Sequence, residues 1–212
     1  MVTPGYGETL VPDDEVGALL PQIRHFFDEP ISKAAVYDLE QAVQDQVGEE
    51  LHLEILGGEL TVPDLLSDHF LRQLHRWLYA DIWSWGGIIR KHELNIGIDP
   101  WLIAVELRSG LENVKYRWGH TDDWNPRQLG IATHAEMVRI HPFADGDGRS
   151  TRLFADLVFV AAQLSEGTAD GQLMKYDWKV DKVGYIGMLR EYDAHRNPED
   201  LADFINLRPF SG

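Results

Sequence analysis

No cysteine occurs in the 212 residues, which excludes disulfides and thiolate metal sites and fits a reducing compartment. No uninterrupted apolar stretch approaches ~20 residues, so no membrane-spanning helix is expected. The N-terminus, MVTPGYGETLVPDDE, lacks the basic segment followed by an apolar run that a secretory signal requires. Basic residues are scarce: 19 Lys and Arg against 35 Asp and Glu give a net charge of −16, and such a chain repels a nucleic-acid backbone at long range. The expectation from these absences is a soluble protein of the cytoplasm with neither nucleic acid nor membrane as a partner. A nucleotide is not excluded, because Arg side chains and helix amides act at contact distance and Mg²⁺ offsets phosphate charge.

Packing material is ample, with 44% apolar residues and seven Trp, enough for one globular domain of ordinary size. Helix signals outnumber strand signals. Asp99-Pro100, Asn125-Pro126 and Asn197-Pro198 each place a capping residue before a Pro suited to a first helical turn, and each is expected to open a helix. The stretches SKAAVYDLEQAVQDQVGEEL and SDHFLRQLHRWLYADIWSW carry apolar residues three or four apart, as amphipathic helices do. Seven or eight helices are predicted, making the fold mainly α. Residues 86–98, GGIIRKHELNIGI, have Gly near both ends and β-branched residues, and read as a short hairpin flap or an irregular loop. Residues 1–59 are expected to form an N-terminal arm and helices, with the first ten or so a loose arm. Residues 60–207 are expected to form the main domain in one compact unit with them.

Chemistry concentrates at residues 141–152, HPFADGDGRSTR, between two helical patterns. Gly146 and Gly148 allow a tight turn and close approach of a ligand, and the helix that follows presents free amides and the positive end of its dipole. Arg149 and Arg152, three apart, share a helix face and can reach one polyphosphate. Asp145 is a natural Mg²⁺ ligand beside phosphates. His141 suits removal of a proton from an incoming hydroxyl. Taken singly, each of these residues is as readily part of a solvated connection. Calcium binding fails on spacing, since an EF-hand loop aligned on its Gly would need ligands at Phe143 and Phe154. His25, His120 and His134 have no partner at metal-ligand spacing and read as surface or satisfied core residues.

HPFADGDGRSTR resembles the signature of the Fic/Doc family, His-x-Phe-x-Asp/Glu-Gly-Asn-Gly-Arg-x-x-Arg, with one departure: Asp147 stands where the family has Asn. The likeness extends upstream to LHRWLYADIWSWGGIIRKHELNIGI and downstream to YIGMLREYDAHRNPEDLADFI. Within the family it is most like a bacterial group called mobile mystery protein B. The resemblance implies a Fic-type helical bundle with a short β-hairpin flap, in the bacterial cytosol. It implies a protein adenylyltransferase, moving AMP from ATP, with Mg²⁺, onto a Ser, Thr or Tyr hydroxyl of a target protein. His141 would be the general base and Asp145 the Mg²⁺ ligand. Gly146, Asp147 and Gly148 would form the anion turn, and Arg149 and Arg152 would hold the β- and γ-phosphates. Leu94, Asn95, Ile96 and Gly97 would form the target-docking flap.

Two other readings fit the same signature: transfer of another nucleotide or phospho-group, or a catalytically impaired Fic-fold regulator. Asp147 is expected to face away from the nucleotide, hold the turn through backbone N–H groups and cap the following helix, in preference to approaching the metal beside Asp145. Many family members block their own γ-phosphate site with a Glu in a Ser/Thr-x-x-x-Glu-Gly/Asn helix. Here Glu112-Asn113 and Glu166-Gly167 are preceded at the first position by Arg108 and Ala162, so neither matches. The inhibitor is therefore expected to be a separate antitoxin-like protein, or else a diverged helix near Asp13–Leu20 acting through Glu15.

Overall fold

A computed structural model describes residues 13–28, 30–167 and 171–210; the predicted N-terminal arm lies outside them. The helices are α1 (Asp13–Val16), α2 (Pro21–Arg24), α3 (Lys33–Leu56), α4 (Val62–Leu65), α5 (Asp68–Tyr79), α6 (Ile103–His120), α7 (Pro126–Ile140), α8 (Asp147–Glu166), α9 (Lys182–His195) and α10 (Glu199–Phe204). Two three-residue strands, β1 (Met174–Tyr176) and β2 (Leu207–Pro209), pair antiparallel with Lys175 opposite Arg208. The fold is mainly α.

Local chemistry sets the helix starts. Asn125 accepts from the Gln128 amide at 2.9 Å while Gln128 returns a bond to the Asn125 amide at 3.0 Å, a reciprocal cap with Pro126 in the first turn. Ser32 and Ser67 cap α3 and α5 through Ala35 and Phe70. At Asp99-Pro100 the outcome differs: Asp99 accepts from the Trp101 amide, and the chain turns once more before α6 begins at Ile103. Asn197 likewise accepts from the Glu199 amide, where α10 begins.

Thirteen of the twenty residues of α8 are buried, so this helix is the centre of the packing. Its face bearing Leu153, Phe154, Leu157 and Val158 joins the main core with α3, α4, α5 and α7. Its other face, with Ala155 and Phe159, joins a second cluster completed by Tyr176, Tyr185, Tyr192 and Leu201. The N-terminus of α8 is thereby held from both sides. No helix among the described residues is long and apolar enough to cross a membrane.

Candidate active site

The loop from His141 to Gly146 connects α7 to α8. His141 closes α7 in the left-handed region, φ 52°, a conformation uncommon for a residue with a side chain. Two contacts hold it there. Its amide donates to the Met137 carbonyl at 2.9 Å, and its carbonyl accepts from Arg90 Nε at 2.7 Å. Gly97 lies so close that a Cβ there would come within 2.6 Å of His141 Cβ. The imidazole is half-buried, and burial followed by the Arg90 charge lowers its pKa, against the opposing pull of Asp145. The ring is therefore neutral near pH 7 and able to accept a proton.

Gly146, φ 79°, is the N-cap of α8, and a Cβ on it would strike the Tyr79 ring at 2.6 Å. Its carbonyl accepts from the Arg149 and Ser150 amides. The amides of Asp147 and Gly148 have no acceptor among the described residues, and no heavy atom comes within 4 Å of a Cβ built at Gly148. The helix end is thus open to an anion. Asp145 is exposed, with one carboxylate oxygen on the Gly146 amide at 2.6 Å. An exposed carboxylate suits a metal taking one protein ligand with phosphates and waters. No cluster of three metal-binding side chains occurs among the described residues.

Asp147 does not cap α8 as expected, because the helix begins at Asp147 itself and Gly146 occupies the cap position. Its buried carboxyl folds back instead, accepting from the Phe143 amide at 3.2 Å and lying 3.4 Å from His141 Nε2. The backbone-holding part of the expectation is what the geometry delivers. Burial pushes the Asp147 carboxyl up to about 8, so near neutrality it carries a proton and can donate a hydrogen bond, as an Asn amide does.

Arg149 and Arg152 both line a cavity of about 550 Å³ between α3, α8 and the strand pair, but their partners differ. Arg149 is ion-paired through NH1 with Glu40 Oε2 on α3, and Glu40 Oε1 accepts from Trp83 Nε1 at 2.7 Å. Arg152 has no ion pair among the described residues; its guanidinium carbon lies 5.8 Å from the ring centroids of both Trp178 and Tyr185. Glu15 pairs with Lys33 at 3.3 Å, and the carboxylate paired with Arg149 is Glu40.

Residues 86–98 form an irregular loop, not a hairpin. A single antiparallel bridge joins Ile89 to Phe143. The buried Arg90 guanidinium donates to the carbonyls of His92 and Ile98 as well as to His141, and the Ile98 amide donates to Ile140. Those bonds take groups that a hairpin ladder would need. They tie both ends of the loop to the base and leave Leu94 and Ile96 exposed at 41% and 52%.

Three supporting residues carry no motif in the sequence: Arg90, Glu40 and His75. The Gly87 amide donates to His75 Nδ1 at 2.9 Å, so His75 Nε2 carries the proton and donates to the Asp145 carbonyl at 3.0 Å. Its ring stacks on Phe143, centroids 3.6 Å apart, and burial lowers its pKa to about 4. A neutral His75 thus joins the base of the flap to the metal-ligand candidate.

Residues 65–159 match the model of the Fic/DOC family. Over that stretch the chain is similar to Fic domains. Among solved structures, it is similar to the N-terminal Fic domain of a Bartonella quintana protein described as a VirB-translocated Bep effector. Identity there is 16%, coverage 86% of each chain and TM-score 0.58. The same domain with bound ADP gives 17% identity, covering 82% of this chain and 86% of that one, with TM-score 0.57. BepC from Bartonella tribocorum with bound AMPPNP gives 15% identity, coverage of 81% and 89%, and TM-score 0.51. At these identities the likeness shows a shared fold. The matched region holds His141 through Arg152, the flap and His75, while Glu40, Trp178 and Tyr185 lie outside it.

Proposed function

We propose that this protein is a protein adenylyltransferase, transferring AMP from ATP to a Ser, Thr or Tyr hydroxyl of a target protein. The observation that carries the reading is the convergence of a neutral His141, the exposed carboxylate of Asp145 and the open amides of Asp147 and Gly148 at one helix end. The nucleotides bound to the Bartonella Fic domains, ADP and AMPPNP, support an adenine nucleotide here.

The target hydroxyl oxygen attacks the α-phosphorus and forms a P–O bond. The bond from that phosphorus to the β-bridging oxygen breaks, pyrophosphate leaves, and the hydroxyl proton passes to the His141 imidazole. The α8 amides and Arg152 hold the phosphates, and Arg149 joins them when Glu40 releases it. Asp145 would hold Mg²⁺, whose charge offsets that of the triphosphate. Leu94, Asn95, Ile96 and Gly97 receive the target backbone as an added strand, which brings its hydroxyl towards His141. Regulation falls to a separate antitoxin-like protein or to the segment carrying Glu15.

The test is incubation of the protein with cell lysate, Mg²⁺ and ATP labelled on either the α- or the γ-phosphate. Label from the α-phosphate alone should enter a protein band. Entry of the γ-label would mean phosphate transfer and overturn the reading.

A further inference from the structure

Arg149 and Arg152 each lie over two aromatic rings, Tyr37 and Tyr79 for the first, Trp178 and Tyr185 for the second, and differ in what meets their charge. The charge of Arg149 is met by Glu40. The Arg152 guanidinium carbon lies 5.8 Å from the ring centroids of Trp178 and Tyr185, with its Nε buried and without an acceptor. The Trp178 ring is itself fixed, because its Nε1 donates to Asp156 Oδ2 at 3.0 Å. The Tyr185 hydroxyl lies 2.5 Å from Nε2 of the fully buried His134.

The direction of the hydrogen bonds follows from the donor inventory. A guanidinium only donates, so the Tyr185 oxygen, which Arg152 approaches, is the acceptor of that contact. The hydroxyl hydrogen then goes to His134 Nε2, which leaves the imidazole proton on Nδ1, a buried atom with no acceptor among the described residues. Burial raises the pKa of the phenol and lowers that of the imidazole to about 3, so every member of this chain is uncharged. A carboxylate would neutralise the arginine; a neutral phenol and two ring faces orient it and leave its charge for a ligand. Arg152 and Trp178 both line the cavity, where such a ligand has room.

We propose that Tyr185, backed by His134 and flanked by Trp178, is a positioning residue that holds the Arg152 guanidinium for the terminal phosphates of the nucleotide. This rests on the reading of Arg152 as a phosphate ligand. Pre-ordering the arginine removes the cost of immobilising a long side chain when the triphosphate binds. The consequence is selective: it strengthens ATP and leaves AMP, which lacks those phosphates, untouched.

The experiment is calorimetric titration of the purified full chain with ATP and with AMP, each with Mg²⁺, for the wild type, Arg152→Ala and Tyr185→Phe. The last substitution keeps the ring and deletes only the hydroxyl. Wild-type protein should bind ATP more tightly than AMP, and Arg152→Ala should remove most of that difference. Tyr185→Phe should weaken ATP by about two- to tenfold, the cost of ordering one side chain, with AMP unchanged. If Arg152→Ala narrows the ratio and Tyr185→Phe does not, the positioning role is wrong and the phosphate role stands. Equal weakening of ATP and AMP by Tyr185→Phe would mean a general structural role and also overturn it. An unchanged ratio in Arg152→Ala would remove the phosphate role itself.

Discussion

Asp147 faces the Phe143 amide and His141 Nε2 from within the loop, and a protonated carboxyl there presents one donor and one acceptor, like an amide. Asp147→Asn should therefore leave transfer intact or raise it modestly. Asp147→Ala, which loses the bond to Phe143 and loosens the turn, should lower it ~fivefold, the worth of one hydrogen bond. Rates at saturating Mg²⁺ and ATP for the two variants check this; a collapse with Asn would mean that the ionised carboxylate is required. Glu40 is a second residue whose charge decides something. Glu40→Gln keeps an oxygen for Trp83 Nε1 but removes the negative charge that faces Arg149. ATP should then bind up to about tenfold more tightly, since a charge-assisted bond no longer competes with phosphate. The melting temperature should fall, because a largely covered guanidinium is left unpaired. Unchanged ATP affinity would mean that Glu40 and the nucleotide do not compete. The residues of the signature itself are legible in sequence because their chemistry is contiguous. His75, Arg90 and Glu40 are not, because their partners Asp145, His141 and Arg149 lie 70, 51 and 109 positions away.

Among the elements, the starts of α3, α5 and α7 are readable because each cap and its amide lie within one turn of each other. The late start of α6 is less so: Asp99 binds the Trp101 amide and completes a separate turn, an alternative that the same residue types permit. The flap fails as a hairpin for a tertiary reason, the capture of its carbonyls by Arg90. The contact between α7 and α9 was invisible for a similar cause, since His134 has no spacing signal and its partner Tyr185 arrives from another helix. That contact has a pH consequence. The folded pKa of His134 is lowered to about 3 from an ordinary 6.5, so below 6.5 the unfolded chain takes up a proton that the fold refuses. Its contribution to stability is full above 6.5 and is lost as pH falls towards 3. Relative to His134→Gln, the wild type should lose roughly 1 kcal/mol per pH unit between pH 6 and 4. Urea unfolding of both proteins at several pH values measures this. A difference independent of pH would show that His134 titrates normally.

Across the whole molecule, a net charge of −16 coexists with a pocket where Arg149, Arg152, Lys175 and Arg208 face Asp45, Glu49 and Asp156, so global charge says little about the local ligand. The family match ends at residue 159 and starts at 65, yet the residues around the two arginines come from outside those limits: Glu40 from α3, Trp178 and Tyr185 from the C-terminal part. On the proposed reading, the signature supplies the reacting groups and the flanking segments set how its arginines are presented. The most direct measurement compares wild type and His141→Ala for ATP binding and for transfer of α-labelled AMP to protein. Transfer should drop by about 10²–10⁴-fold, the usual contribution of a general base, with ATP affinity within a few-fold of wild type. Undiminished transfer by His141→Ala would contradict the assignment of the base and, with it, the proposed reaction at this loop.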